Sequence, residues 1–132
     1  MDKIASKLIF KKYIVQKIDF KANEDYKGKE IKIKLDIEKS IEYIGKNMNV
    51  TLIVKLFDEA EKEVPFKMTV QVKGIFEIEN NSESINYEPN AIAILYPYIR
   101  AIVSTYSAAA NVTPLILPAI NVNKLLEDKQ EN

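Results

Sequence analysis

Cysteine and histidine are both absent from this 132-residue chain. Disulfides, thiolate nucleophiles, histidine general bases and the usual zinc constellations are excluded with them. Tryptophan is missing too, and the three glycines, Gly28, Gly45 and Gly74, stand too far apart to build a glycine-rich phosphate loop or a dinucleotide fingerprint. ATP and other cofactors are therefore expected to play no part. No apolar run approaches the roughly 18 residues that a membrane helix needs. The short patch Leu8-Ile9-Phe10 is interrupted by lysines, with no small-residue cleavage site after it, and does not read as a signal peptide. The expectation is a soluble cytoplasmic protein that does not insert into a membrane, and the missing cysteines fit a reducing compartment.

Apolar residues make up 47% of the chain and charged residues 29%, an ordinary balance for a folded protein. The length suits a single domain over residues 1–132, with residues 1–6 and 127–132 as flexible ends. Net charge is zero, but its distribution is uneven. Residues 1–46 hold 12 lysines against 8 carboxylates, whereas residues 47–132 hold 7 basic residues against 11 acidic ones. The lysines of the basic half alternate with isoleucines and carboxylates, the pattern of a solvated strand face, and no nucleic-acid motif accompanies them. Nucleic acid is not expected as a partner.

Ile31 to Glu38 alternates apolar and charged residues without a fault, the period of a half-buried strand. Leu8 to Phe20 alternates less cleanly. Leu8, Phe10, Ile14, Ile18 and Phe20 fall on one face by simple alternation, and Ile9, Tyr13 and Val15 on the other. A strand apolar on both faces needs cover on both, from its own chain or from a partner. Met48, Val50, Leu52, Val54 and Leu56 line a third strand. After the charged turn Asp58 to Glu63, a fourth carries Phe66, Met68, Val70, Val72, Phe76 and Ile78 on one face. Gly74 keeps the register of this strand, which marks a bulge or a close backbone approach. Asn80 to Asn90 reads as a loop. Ile92 to Ala110 has helical spacing, and Pro97, best tolerated in a first turn, puts the start of the regular helix near Tyr96. Asn111 to Ala119 carries two prolines and reads as an extended connection. Asn121 or Asn123 then caps a short helix through Leu125 and Leu126.

Chemistry-bearing groups are few. Asp58 and Glu59 sit in a charged turn, and Ser104, Thr105 and Ser107 sit on a helix with no histidine to activate them, so an enzyme is not expected. Tyr96, Tyr98 and Tyr106 fit either an interface or the intrachain core, since tyrosine pairs an apolar body with a polar tip.

Three segments carry a resemblance when taken in order: Gly74-Ile75-Phe76-Glu77-Ile78, Leu95-Tyr96-Pro97-Tyr98-Ile99-Arg100, and Leu115-Ile116-Leu117-Pro118-Ala119-Ile120-Asn121-Val122-Asn123. The chain resembles the SecB-type export chaperones, which show a Gly-Ile-Phe strand end, a Leu-Phe-Pro-Tyr-Ala-Arg helix start, a proline-bearing loop and a Leu-x-Leu-Ala-Pro-Val-Asn-Phe segment before a short helix. The resemblance is firm from Phe66 to Leu126 and collinear from Leu8 to Leu56.

It implies an α+β fold: a four-stranded antiparallel β-meander, a long helix, an extended proline-bearing loop and a short C-terminal helix. It also implies an ATP-independent holdase, a homotetramer built as a dimer of dimers, which binds unfolded preproteins in apolar grooves and delivers them to the SecA motor. By the resemblance, the client groove takes in Tyr26, Leu115, Leu117, Ile120, Val122, Leu125 and Leu126. Phe66, Met68, Val70, Val72, Tyr98 and Ile102 belong to the oligomer interface.

The chain departs from the family at several places. Positions that carry acidic residues for the motor are Lys17 and Lys21, and a Leu and Glu pair on the fourth strand reads Lys67 and Thr69. Against a basic motor surface these lysines are repulsive. The family's Trp-x-Pro is missing, with Tyr26 the nearest aromatic. Ala110 replaces a loop glycine, and the loop proline is displaced to Pro114. Relatives of the fold serve as dedicated chaperones of antitoxins in toxin-antitoxin systems, a role that needs no motor patch. An oligomeric adaptor without holdase activity is the alternative from another class.

Overall fold

The computed structural model describes residues 7–26, 34–57, 64–79, 85–110 and 121–131, with side chains through Asp128. Four strands, β1 (Lys7–Ala22), β2 (Leu35–Ile44), β3 (Asn47–Leu56) and β4 (Phe66–Glu79), form one antiparallel sheet in the order β1-β4-β3-β2. Helices α1 (Glu88–Ala109) and α2 (Val122–Glu131) follow. The expected α+β architecture is present. Strands β2, β3 and β4 form the meander, and β1 pairs with β4 at the edge rather than with its sequence neighbour. The tight turn between β2 and β3 is made at Gly45, whose φ of 58° is the left-handed conformation that suits the first position of a two-residue hairpin turn.

One sheet face is buried and the other faces water. The buried face carries Met48, Val50, Leu52, Val54 and Leu56 of β3 and Phe66, Met68, Val70, Val72, Phe76 and Ile78 of β4. Helix α1 presses onto it through Ala91, Ile92, Leu95, Tyr96, Ile99 and Val103, and α2 adds Val122 and Leu126 beside β2. Burial on this scale is the dominant favourable term, at about 25 cal/mol per Å² of apolar surface removed from water. Gly74 marks a close approach and not a bulge. A Cβ built on it would lie 2.8 Å from the Phe76 ring and 3.0 Å from Leu95, so the missing side chain is what lets α1 sit down on the sheet.

Boundaries differ from the sequence reading in three places. Strand β2 extends to Ile44, beyond Glu38, while residues 31–33 lie outside the described ones. Helix α1 begins at Glu88 and not near Tyr96; Pro89 occupies its first turn, Asn86 Oδ1 accepts from the Glu88 amide at 3.1 Å, and Pro97 lies inside the helix on its exposed side. There the carbonyl that the ring leaves unbonded is open to water, which makes an interior proline tolerable. Helix α2 continues past Leu126 to Glu131, capped by Asn121, whose Oδ1 accepts from the Lys124 amide at 3.1 Å. Asn123 instead donates to the Pro89 carbonyl at 2.8 Å, tying α2 to the start of α1. No helix among the described residues is long and apolar enough to cross a membrane.

Candidate functional site

The inner sheet face is wider than its helical cover. Pairing of β1 with β4 sets Leu8 opposite Ile78, Phe10 opposite Phe76, Tyr13 opposite Gly74, Val15 opposite Val72, Ile18 opposite Val70 and Phe20 opposite Met68. Directly paired residues share a face. All six β1 residues therefore point to the helix side, which simple alternation does not allow. Register shifts between Phe10 and Lys12 and between Val15 and Lys17 insert one residue each and reverse the parity twice. Tyr13 and Val15 are thereby moved to the inner face, and Ile14 to the outer.

Beyond the edge of α1 this row stays open. Tyr13 is 39% exposed, Val15 41%, Ile18 37%, and across the gap on α1 Tyr98 and Tyr106 are 37% and 39% exposed. Ile102 lies half-buried beside them. Ring contacts line the floor: Tyr13 to Tyr98 at 4.5 Å, Phe10 to Tyr98 at 5.6 Å and Phe20 to Tyr106 at 5.2 Å between centroids. The result is a continuous aromatic and aliphatic strip along one sheet edge. Isolated exposed apolar residues are normal on a protein surface, but a contiguous row of them marks a contact surface.

Four of the six residues assigned to the oligomer interface, Phe66, Met68, Val70 and Val72, are 0–2% exposed within one chain. They lie beneath α1 and leave no surface for a partner. Tyr98 and Ile102 do reach the surface, within the strip. Sequence reasoning missed Tyr13, Val15 and Ile18 as their companions. Paired aromatic and β-branched residues on both apparent faces of one strand were the signal, and two bulges were its cause.

The residues assigned to the client groove are not gathered in one place among the described residues. Val122 and Leu126 are buried at 3% and 6%, and Leu125 is half-buried against the same core. Tyr26 is half-buried at the other end of the sheet, where β1 ends beside Pro65, whereas α2 starts by Pro89. Leu115, Leu117 and Ile120 lie outside the described residues. Near the β2–β3 turn, Tyr43, Ile44 and Ile85 are exposed, and the Tyr43 hydroxyl donates to Glu88 Oε2 at 2.8 Å. The side chain as a whole is 55% exposed, but the hydroxyl end loses part of its water, and this desolvation, then the hydrogen bond and the Glu88 charge, push the Tyr43 pKa up to about 12.

The four motor-contact positions do converge. Lys21 faces Lys67 directly across the strands, Asp19 faces Thr69, and Lys17 faces Gln71, all at one end of the outer face. Lys21, Lys67 and Thr69 border an open concavity of about 900 Å³ also lined by Asp19, Lys34, Asp36, Lys55 and Phe57, and Lys17 lies next to Asp19 along the same face. Among the described residues no group of three or more histidine, cysteine or carboxylate side chains is placed to hold a metal ion.

Comparison with known proteins places these features in context. The protein-family model described as preprotein translocase subunit SecB matches residues 20–132. An uncharacterised protein of Methanocaldococcus jannaschii is 36% identical over 137 aligned positions, which span 95% of this chain and 88% of the relative. In three dimensions the chain is similar to a Mycobacterium tuberculosis SecB-like chaperone in complex with a peptide from the HigA1 antitoxin. The TM-score is 0.65 at 14% identity, over 86% of this chain and 87% of that one. A Streptococcus agalactiae protein of unknown function matches with a TM-score of 0.51 at 12% identity, over 87% and 99% of the two chains.

Proposed function

The chain belongs to the SecB family, and from that premise we propose that it is an ATP-independent holdase that binds unfolded or aggregation-prone polypeptides. The observation that carries the proposal is the match of the SecB family model to residues 20–132, and the apolar strip of Tyr13, Val15, Ile18, Tyr98, Ile102 and Tyr106, left open because the sheet is wider than its cover, supports assembly. In this reading the strip seats a second copy of the chain, so that the dimer is built on β1 and α1 and two dimers form a homotetramer. Clients then use the groove that the resemblance assigns to Leu115, Leu117, Ile120 and Leu125, while Val122 and Leu126 pack into the chain's own core. Many weak apolar contacts along one unfolded chain add through effective concentration, so no energy source is required. The protein acts in the cytoplasm and performs no catalysis.

A dedicated chaperone of an antitoxin is the second reading. It is favoured by the fold similarity to a chaperone bound to an antitoxin peptide, and by lysines at Lys17, Lys21 and Lys67, where export members present carboxylates or an apolar residue to the motor. Preprotein export through SecA is the alternative assignment of the same holding activity.

Light scattering of a denatured client diluted into buffer tests the holdase. A substoichiometric amount of the protein suppresses aggregation, and ATP changes nothing. A folded protein that retains no unfolded chain at low salt refutes the proposal. Capture from native lysate then separates the two readings: one small partner identifies a dedicated chaperone, and a broad set of preproteins identifies export.

A further inference from the structure

We propose that the outer face of the β1–β4 pair docks an acidic, extended polypeptide segment, a contact separate from the apolar strip on the inner face. Strand register puts Lys12, Lys17 and Lys21 of β1 and Lys67 and Lys73 of β4 on this face, with Asp19 as the carboxylate between Lys12 and Lys21 and with Glu77 and Glu79 beyond Lys12 at the far end. The adjoining half of the same face is of opposite sign, since β2 and β3 present Asp36, Glu38 and Glu42 against Lys55. Two lysines are held in the fold's own ion pairs: Lys11 meets Glu77 at 2.9 Å and Lys55 meets Glu38 at 3.6 Å. Lys12, Lys17 and Lys21 have no ion pair with any described residue. Lys21 and Lys67 stand directly opposite each other, so two positive charges meet at this end of the lane.

Shape and chemistry select the occupant. The lysine lane is two strands wide, roughly 10 Å at about 4.8 Å per strand, and runs about 25–30 Å from Lys12 to Lys21 at about 3.3 Å per residue. That matches an extended segment of roughly eight or nine residues. Ile14, 40% exposed, and half-buried Ile75 lie in the lane between Lys12 and Lys73 and supply an apolar anchor point. Gln16 and Gln71, hydrogen-bonded to each other at 2.8 Å, add polar groups able to meet a backbone. A nucleic acid is a poorer fit. The strand aromatics Phe10, Tyr13, Phe20, Tyr43, Phe66 and Phe76 all occupy inner-face positions, and Phe57, which lines the concavity at the Lys21 end, is only 4% exposed, so the described residues of this face offer little open ring surface for a base to stack on, and the acidic β2–β3 half repels a phosphate backbone.

The test uses the full-length protein and three labelled probes in fluorescence anisotropy: a nine-residue peptide of alternating Glu and Ser with a central Leu, the same peptide with Lys for Glu, and a nine-nucleotide single-stranded DNA. The acidic peptide is expected to bind at 50 mM salt and to weaken about ten-fold or more by 0.5 M, as exposed charges are screened. Replacing Lys12, Lys17 and Lys21 together by Glu should cost about ten-fold or more in its affinity. The milder replacement of all three by Gln should give a smaller loss in the same direction. Suppression of client aggregation and the sedimentation coefficient stay unchanged in both variants, which separates this surface from the holding activity. The inference is overturned if the acidic peptide fails to bind, if the triple Glu variant binds it as well as the parent, or if the DNA or basic peptide binds more tightly. A sedimentation change in the triple variant would also overturn it, by making this face a contact between copies of the chain.

Discussion

The Tyr13 and Tyr98 rings lie 4.5 Å apart, centroid to centroid, and tilt by 31°, yet both side chains keep more than a third of their surface in water. Such a pair is already held in place by its own chain, so a partner that covers it gains apolar burial while ordering few new side chains. If this strip seats the second copy, Ile18→Asp or Tyr98→Asp places a charge in a contact stripped of water and should disperse the assembly. Sedimentation should move to the monomer. Far-ultraviolet circular dichroism should stay unchanged, and chain stability should fall by about 1–2 kcal/mol, since each side chain also packs within its own chain, which leaves the monomer folded. An assembly that survives both substitutions would put the contact elsewhere.

Residues of β4 behave differently. Met68 and Val70 are 2% and 0% exposed beneath α1, so Met68→Glu or Val70→Glu buries an unpaired carboxylate inside the chain itself. Against a total stability of about 5–15 kcal/mol for a domain, that cost abolishes the native state and does not merely dissociate subunits. Loss of a cooperative melting transition is the expected result. A folded monomer of Met68→Glu would show that β4 is reachable from outside.

Strands β3 and β4 were legible because their alternation is unbroken and one face is fully buried. Each Val, Leu, Met or Phe of the inner row falls on the correct side by counting in twos. Strand β1 defeated the same count. Its two bulges leave no mark in composition, because the inserted residues, near Lys11 and Gln16, are ordinary surface residues. Its edge position and pairing with β4 also depend on long-range contacts that local pattern does not encode. Pro97 misled the helix start, since only the tertiary structure reveals that its position faces water and that Pro89 serves the first turn. The charged positions Lys17, Lys21 and Lys67 were named from resemblance, but their convergence on one end of the outer face required the register.

Gly74 offers a test of the close approach between α1 and the sheet. A Cβ there meets the Phe76 ring at 2.8 Å and Leu95 at 3.0 Å. Gly74→Ala should destabilise the chain by about 1–3 kcal/mol, the usual cost of overpacking a filled core. Gly74→Val should cost more. A denaturant midpoint unchanged in Gly74→Ala would mean that Leu95 and Phe76 shift aside without loss.

Tyr43 links the β2–β3 turn to the start of α1 through its 2.8 Å bond to Glu88, and its pKa is pushed up to about 12. Because the folded value exceeds the ordinary value near 10, the folded state holds this proton more tightly than the unfolded state does. The associated stability is present below about pH 10 and is lost as pH rises through about 12. Burial also raises the Tyr96 pKa, so absorbance titration of the phenolates should show late tyrosines, of which Tyr43→Phe removes one. A titration unchanged by Tyr43→Phe would place the late phenol elsewhere.

Lys17 and Lys21 decide whether the holding activity serves export. With Lys67 they give the outer face a positive end, where export members of the family offer carboxylates to a basic motor surface. Like charge at a contact costs binding and slows encounter, so association with SecA should be weak. Lys17→Asp together with Lys21→Glu should strengthen it about ten-fold or more at low salt by removing repulsion and restoring attraction. The gain should shrink as ionic strength rises, since at 0.1 M charges beyond about 10 Å are largely screened. Both side chains lie on the face opposite the apolar strip, so suppression of client aggregation should be the same before and after the substitutions. Surface plasmon resonance with immobilised motor, run at two salt concentrations, reads all of these outcomes. Tight binding by the unaltered chain, or weaker binding after charge reversal, would return preprotein delivery to first place among the possible roles.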